Sequence, residues 1–299
     1  MKTLITGIFI LSTLPLLAQS NITEGIKKVN DIDLYYQTYG AGEPMIVLHG
    51  GPGMDGSYFN PFIDPLSNTF QIINYDQRGS GKSTGVSDTL KLTADQFVED
   101  IEGLRKALGF EKIHILGHSW GGQLAMRYAI KYPDQLHTLI LISTGGADAS
   151  VSAATTETVM NRLSSEDKEA YFNMVAEGYW DSKEGLDEMA KIYWKPYVVD
   201  QGKLKLIKDA YSDNTTIVQR SIDNSTQGFN LYDQLSRLTV PTLLIHGDYD
   251  PIPSEAIEKI HRTIKGSELV ILEDCGHFPF IEKQDEFIES IFRFYKHLN

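Results

Sequence analysis

The stretch Lys112-Ile113-His114-Ile115-Leu116-Gly117-His118-Ser119-Trp120-Gly121-Gly122-Gln123-Leu124 decides how the rest of the chain is read. Its first part is a short, largely apolar run with β-branched residues, the pattern of a parallel strand buried on both faces. From Trp120 to Tyr132 the spacing turns helical, and Pro133 stops it. Gly-x-Ser-x-Gly stands at the junction, over Gly117, Ser119 and Gly121. In such a strand-to-helix turn, glycines two residues either side let the backbone cross closely, so the serine is pushed out at the strand's end beside a helix N-terminus. Glycine and serine are common enough for the five-residue pattern to arise by chance. The strand before it and the helix after it give it weight, and Ser119 is the candidate nucleophile.

Outward from this point the same alternation recurs. Short apolar runs ending in turn signals lie at Met45–Leu48, Gln71–Asn74, Leu139–Ile142, Thr242–Ile245 and Leu269–Leu272. The clearest helix between them starts at Thr93, with Gln96 completing a capping box and Phe97, Ile101, Leu104 and Leu108 at helical spacing. Strands alternating with helices imply a mostly parallel, doubly wound α/β sheet. The alternation lapses between about Asp148 and Ser236, where helical spacing, many charges and seven aromatics from Tyr171 to Tyr197 occur. The expected organisation is a core over 19–145 and 236–299, with a helical cap inserted at 146–235.

A serine nucleophile needs a base to take its proton and a carboxylate to orient that base. After Ser119, two strand ends carry suitable groups: His246-Gly247-Asp248-Tyr249-Asp250 and Glu273-Asp274-Cys275-Gly276-His277. Open α/β sheets place their sites beyond the carboxyl ends of strands, so His277 is the candidate base. Asp250 is preferred to Asp248 as the acid, because two more loop residues let a carboxylate turn back towards the sheet. His118 and His246 read first as satisfied structural histidines, and Cys275 as a small buried residue. His49-Gly50-Gly51-Pro52-Gly53 follows another strand, and the backbone N–H groups of Gly51 and Trp120 are the expected oxyanion donors.

No cofactor or metal is expected. Gly51, Gly53 and Gly56 do match a dinucleotide-binding pattern, with Asp76 beyond. Pro52 sits inside the turn, however, and Pro61 interrupts the helix that would hold a pyrophosphate. The formal charge of −13 and the absence of any basic run argue against a nucleic-acid partner. Lys2, an apolar stretch from Leu4 to Leu17 and the small Ala18 read as a secretory leader over 1–18. The stretch is shorter than the ~20 residues that span a bilayer. The expected product is secreted or periplasmic, without stable membrane insertion after leader removal. Cys275 is the single cysteine, so an internal disulfide is impossible despite export.

Taken together, His49–Gly53, Tyr75-Asp76-Gln77-Arg78-Gly79-Ser80-Gly81-Lys82-Ser83, Gly117–Gly122, Gly247–Asp250 and Cys275–His277 resemble the proline iminopeptidase family of α/β-hydrolases. The resemblance implies the α/β-hydrolase fold, Ser119, Asp250 and His277 as catalytic residues, and Gly51 with Trp120 as oxyanion donors. It further implies a short-peptide substrate that loses an N-terminal proline or small residue; the alternative is an esterase or amidase acting on another small acyl compound. Family members hold the substrate's amine with cap carboxylates, for which Glu177, Glu184, Asp209 and Asp213 are candidates here. Some carry glutamate directly after the triad aspartate, where this chain has Pro251.

Overall fold

A computed structural model describes residues 22–83, 88–207 and 210–298. The leader expected over 1–18 lies outside them. Eight strands form one sheet: β1 (Thr23–Val29), β2 (Ile32–Tyr39), β3 (Glu43–Leu48), β4 (Phe70–Tyr75), β5 (Ile113–His118), β6 (Leu136–Ile142), β7 (Thr242–Gly247) and β8 (Glu268–Leu272). Their order across the sheet is β1-β2-β4-β3-β5-β6-β7-β8. The six expected strands are β3 to β8, and they pair in parallel throughout. The hairpin β1–β2 was not anticipated; it adds an antiparallel edge beside β4.

The apolar runs are continuous because both sheet faces are covered. Ile46, Leu48, Ile113, Ile115, Leu139 and Leu141 pack into one cluster with Phe97, Leu104 and Leu124. Met45, Val47, Leu116, Ile140, Ile142 and Ile245 pack into the other with Phe287, Ile291 and Phe294. The first cluster draws on helices α1 (Ala94–Ala107) and α2 (Trp120–Lys131). The second draws on the C-terminal helix, Gln284–Leu298. Thr93 caps α1 as its spacing implied, its side chain accepting from the Gln96 N–H.

Between β6 and β7 the described residues add no strand to the sheet. It forms α3 (Ser150–Arg162), α4 (Ser165–Ala176), α5 (Lys183–Tyr193), α6 (Thr215–Ser225) and the short α7 (Tyr232–Leu235). A backbone bridge between Asp148 and Asn230 joins the start of this insertion to its end. Leu163, Tyr171, Met189 and Ile192 give it a small core of its own. No helix among the described residues is long and apolar enough to cross a membrane.

Candidate active site

Ser119 occupies the turn from β5 into α2 with φ 55° and ψ −119°, a backbone geometry rare for a residue with a side chain. The flanking glycines make it possible. A Cβ on Gly117 would lie 2.5 Å from the Gly121 carbonyl oxygen, and one on Gly121 would lie 2.1 Å from that of Leu48. The turn is pinned by its own main chain: Ser119 N–H donates to Ile142 O at 3.0 Å, and Ser119 O accepts from Gly145 N–H at 2.9 Å. The hydroxyl does not cap α2.

Beyond β7 and β8, His277 Nδ1 lies 2.9 Å from Asp250 Oδ2 and 3.1 Å from Oδ1. Asp250 Oδ1 also accepts from Ile252 N–H at 2.9 Å. Burial pushes the Asp250 carboxyl up, but the neighbouring His277 and His246 and these hydrogen bonds outweigh it and hold the group down at about 2. It is therefore an anion, and Nδ1–H of His277 is the donor. That leaves Nε2 of His277 as the acceptor nitrogen. Asp248, the alternative acid, is exposed and takes the Cys275 N–H at 3.1 Å instead. The His277 loop is fixed from two sides, its own N–H donating to Tyr197 O at 2.7 Å and Gly276 N–H donating to Glu282 Oε1 at 2.9 Å.

The loop after β3 lies against the serine turn, where a Cβ on Gly50 would come within 2.8 Å of Ser119 Cβ. Gly51 adopts φ 60°, in the left-handed region that favours glycine, and its carbonyl accepts from Met54 N–H at 2.9 Å. Among the described residues neither Gly51 N–H nor Trp120 N–H is committed to another backbone group. Trp120 opens α2, where the first amides have no partner within the helix.

Gly51, Ser119, Trp120 and His277 line one cavity of about 270 Å³, walled largely by Tyr171, Trp180, Tyr193, Trp194 and Tyr197. These aromatics thus have two tasks, since Tyr171, Trp180 and Tyr193 also pack the core of the insertion. A second space of about 520 Å³ adjoins at Ser119 and Trp120 and contains Thr155, Thr156 and Thr226.

The profile of the α/β hydrolase fold family matches residues 43–284. A proline iminopeptidase of Saccharolobus solfataricus is 33% identical over 92% of this chain and 92% of its own length. One from Lactobacillus acidophilus is 30% identical over 90% of this chain and 97% of its own. The chain belongs to the proline iminopeptidase family of α/β-hydrolases. It is a serine hydrolase. Among solved structures, the proline iminopeptidase of Mycobacterium smegmatis superposes with a TM-score of 0.71 at 23% identity, covering 92% of this chain and 98% of that one. VinJ superposes at 0.78 with 20% identity, covering 93% and 99%.

Two of the stretches that resemble the proline iminopeptidases, 49–53 and 75–83, meet at Gln77. Its Nε2 donates to His49 O at 2.7 Å, and its Oε1 accepts from the Trp120 indole at 3.0 Å. One buried amide thereby ties the loop carrying Gly51 to the residue after Ser119. Asp76 of the same stretch turns into the fold and accepts from Lys82 N–H at 2.7 Å, so it is not presented to a nucleotide ribose. Cys275 is buried, and burial pushes its thiol well above the ordinary range.

The carboxylate facing the cavity of this iminopeptidase relative is one the sequence did not single out. Asp223, on α6, opens onto both spaces beside Ser119. Partial desolvation raises its carboxyl above the ordinary value, and no cation pairs with it among the described residues. Glu177, Glu184 and Asp213 are exposed and do not line the cavity, while Asp209 lies outside the described residues. The usable signal was helical spacing: Gln219 and Asp223 are four residues apart on α6, and both face the cavity.

Proposed function

We propose that the enzyme is an aminopeptidase that releases an N-terminal proline or small residue from short peptides, with Ser119 as nucleophile, His277 as base, Asp250 as orienting acid, and Gly51 and Trp120 as oxyanion donors. His277 Nε2 takes the Ser119 proton as Oγ attacks the scissile carbonyl, and Asp250 stabilises the imidazolium. The carbonyl oxygen gains negative charge against the Gly51 and Trp120 N–H groups. His277 then protonates the leaving amine, and water repeats the sequence to free the amino acid.

The observation that carries the peptidase reading is Asp223. A carboxylate beside the serine that no cation pairs among the described residues, in a largely apolar cavity walled by aromatics, suits a substrate with an ammonium next to its scissile carbonyl. The proline iminopeptidase relatives support the same reading. Export is also proposed, on the strength of the leader-like residues 1–18.

The test compares prolyl-anilide, its N-acetylated form and short-chain nitrophenyl esters. Prolyl-anilide should be cleaved and the acetylated form refused. Ser119→Ala should lower turnover by about 10⁶-fold. Asp223→Asn should raise KM for the free amine by about 10-fold or more, the loss of one charged hydrogen bond, and leave ester turnover unchanged. Efficient ester hydrolysis with no prolyl-anilide cleavage would replace this reading with the esterase alternative.

A further inference from the structure

His118 precedes Ser119 and is fully enclosed, yet both of its ring nitrogens are engaged. Nε2 lies 2.8 Å from the main-chain carbonyl oxygen of His277. Nδ1 lies 2.9 Å from the Tyr58 hydroxyl. That hydroxyl in turn accepts from the N–H of Gly50. The direction of each bond follows from the partners. A carbonyl only accepts, so Nε2 carries the proton; burial keeps His118 well below its ordinary pKa and hence neutral, so Nδ1 accepts and Tyr58 donates. The series runs Gly50 N–H to Tyr58, Tyr58 to His118, and His118 to His277 O, with each group used once.

This series connects three loops that are far apart in sequence: the loop carrying Gly51, the serine turn, and the loop carrying His277. Tyr58 is held in place by Phe59 and Phe280, whose ring centroids lie 4.6 and 5.9 Å from its own.

We propose that Tyr58 and His118 are positioning residues that set the oxyanion donor and the base at a common spacing about Ser119. The proposal rests on the triad roles given above but not on the identity of the substrate. Both border the cavity beside Ser119, but their polar atoms are engaged with each other, with Gly50 N–H and with His277 O. They act through the backbone of Gly50 and His277.

The experiment measures the rate of covalent labelling by a fluorophosphonate, which needs Ser119, His277 and the oxyanion donors but no peptide specificity, together with kcat and KM for whichever substrate is turned over. Tyr58→Phe removes one hydroxyl and keeps the ring. His118→Gln keeps a donor towards His277 O and gives up the Nδ1 acceptor. Each should lower labelling and kcat at least 10-fold while KM moves less than 3-fold. Because both break the same series, the double variant should be no more than about 3-fold slower than the slower single one.

Labelling and kcat within 2-fold of the parent in Tyr58→Phe, with only its melting temperature lowered, would overturn the proposal and leave the series a packing feature. Multiplicative losses in the double variant would overturn it as well. Should His118→Gln fail to fold, Tyr58→Phe decides alone through the split between kcat and KM. Failure of the peptidase reading would appear differently, as normal labelling with no prolyl-anilide cleavage.

Discussion

Asp76 lies beneath the loop that carries Gly51, and burial raises its carboxyl from 3.8 to about 6 against the opposing pull of the Lys82 and Gly56 amides. The folded protein binds this proton more tightly than the unfolded chain does. The stability it contributes is therefore complete below 3.8 and is lost as pH rises through about 6. A shift of that size corresponds to about 3 kcal/mol. Asp76→Asn cannot ionise, so its stability relative to the parent should rise by about 3 kcal/mol between pH 4 and pH 7, read from denaturant melts at several pH values. Parallel pH slopes in the two proteins would reject the assignment. The sequence carried Asp76 in a misleading nucleotide-like pattern and in the 75–83 stretch of the family resemblance, neither of which reveals its burial, because burial is a property of the assembled fold. Ser119 was legible for the opposite reason: its glycines, preceding strand and following helix are all local. Asp223 was only half legible: helical spacing pairs it with Gln219, but which face of α6 meets the cavity is set by packing against Gly53, where a Cβ would lie 2.6 Å from Thr215 Cα.

The strands that could be read from sequence are those with a continuous apolar run, and five of them, β3 to β7, are buried almost throughout; β8 keeps such a run at the sheet's edge although Ile271 is exposed. β5 is buried at every position, whereas β1 alternates exposed and half-buried residues and carries Lys27 and Lys28. An edge hairpin of this kind has no continuous apolar run to betray it. The junction of β5 with α2 also shows how little tolerance an element boundary has. Gly121, the second residue of α2, lies against the carbonyl oxygens of Leu48 and His49, at 2.1 and 2.7 Å from where a Cβ would stand. Those contacts are backbone and cannot rotate away. Gly121→Ala should therefore destabilise the protein by about 3 kcal/mol or more, measured by urea unfolding. A loss below 0.5 kcal/mol would mean that β3 and α2 pack less closely than this.

Across the whole molecule, the helical insertion is fastened to the core at the loops that hold Asp250 and His277. Arg162 on α3 donates to the carbonyls of Pro196 and Tyr249 and stacks its guanidinium 3.9 Å from the centre of the Tyr249 ring, one residue before Asp250. On the other side, Glu282 accepts from Gly276 N–H at 2.9 Å and from Val199 N–H at 2.8 Å, so a single buried carboxylate joins the His277 loop to the insertion. Removing it strands two amides, each costing about 1–3 kcal/mol when left unpaired. Glu282→Ala should lose about 2–6 kcal/mol of stability on that basis. Its distinguishing effect is spatial: amide exchange should accelerate at Val199 and Gly276 while the central strands β3, β5 and β6 keep their protection. Turnover should fall with it, because Gly276 precedes His277 and Tyr197 O holds the His277 N–H. Hydrogen-exchange mass spectrometry resolves the pattern by segment. If exchange rises uniformly across the sheet, or not at all around residues 195–199 and 275–279, then Glu282 is not the fastening and the insertion is held by its apolar contacts alone.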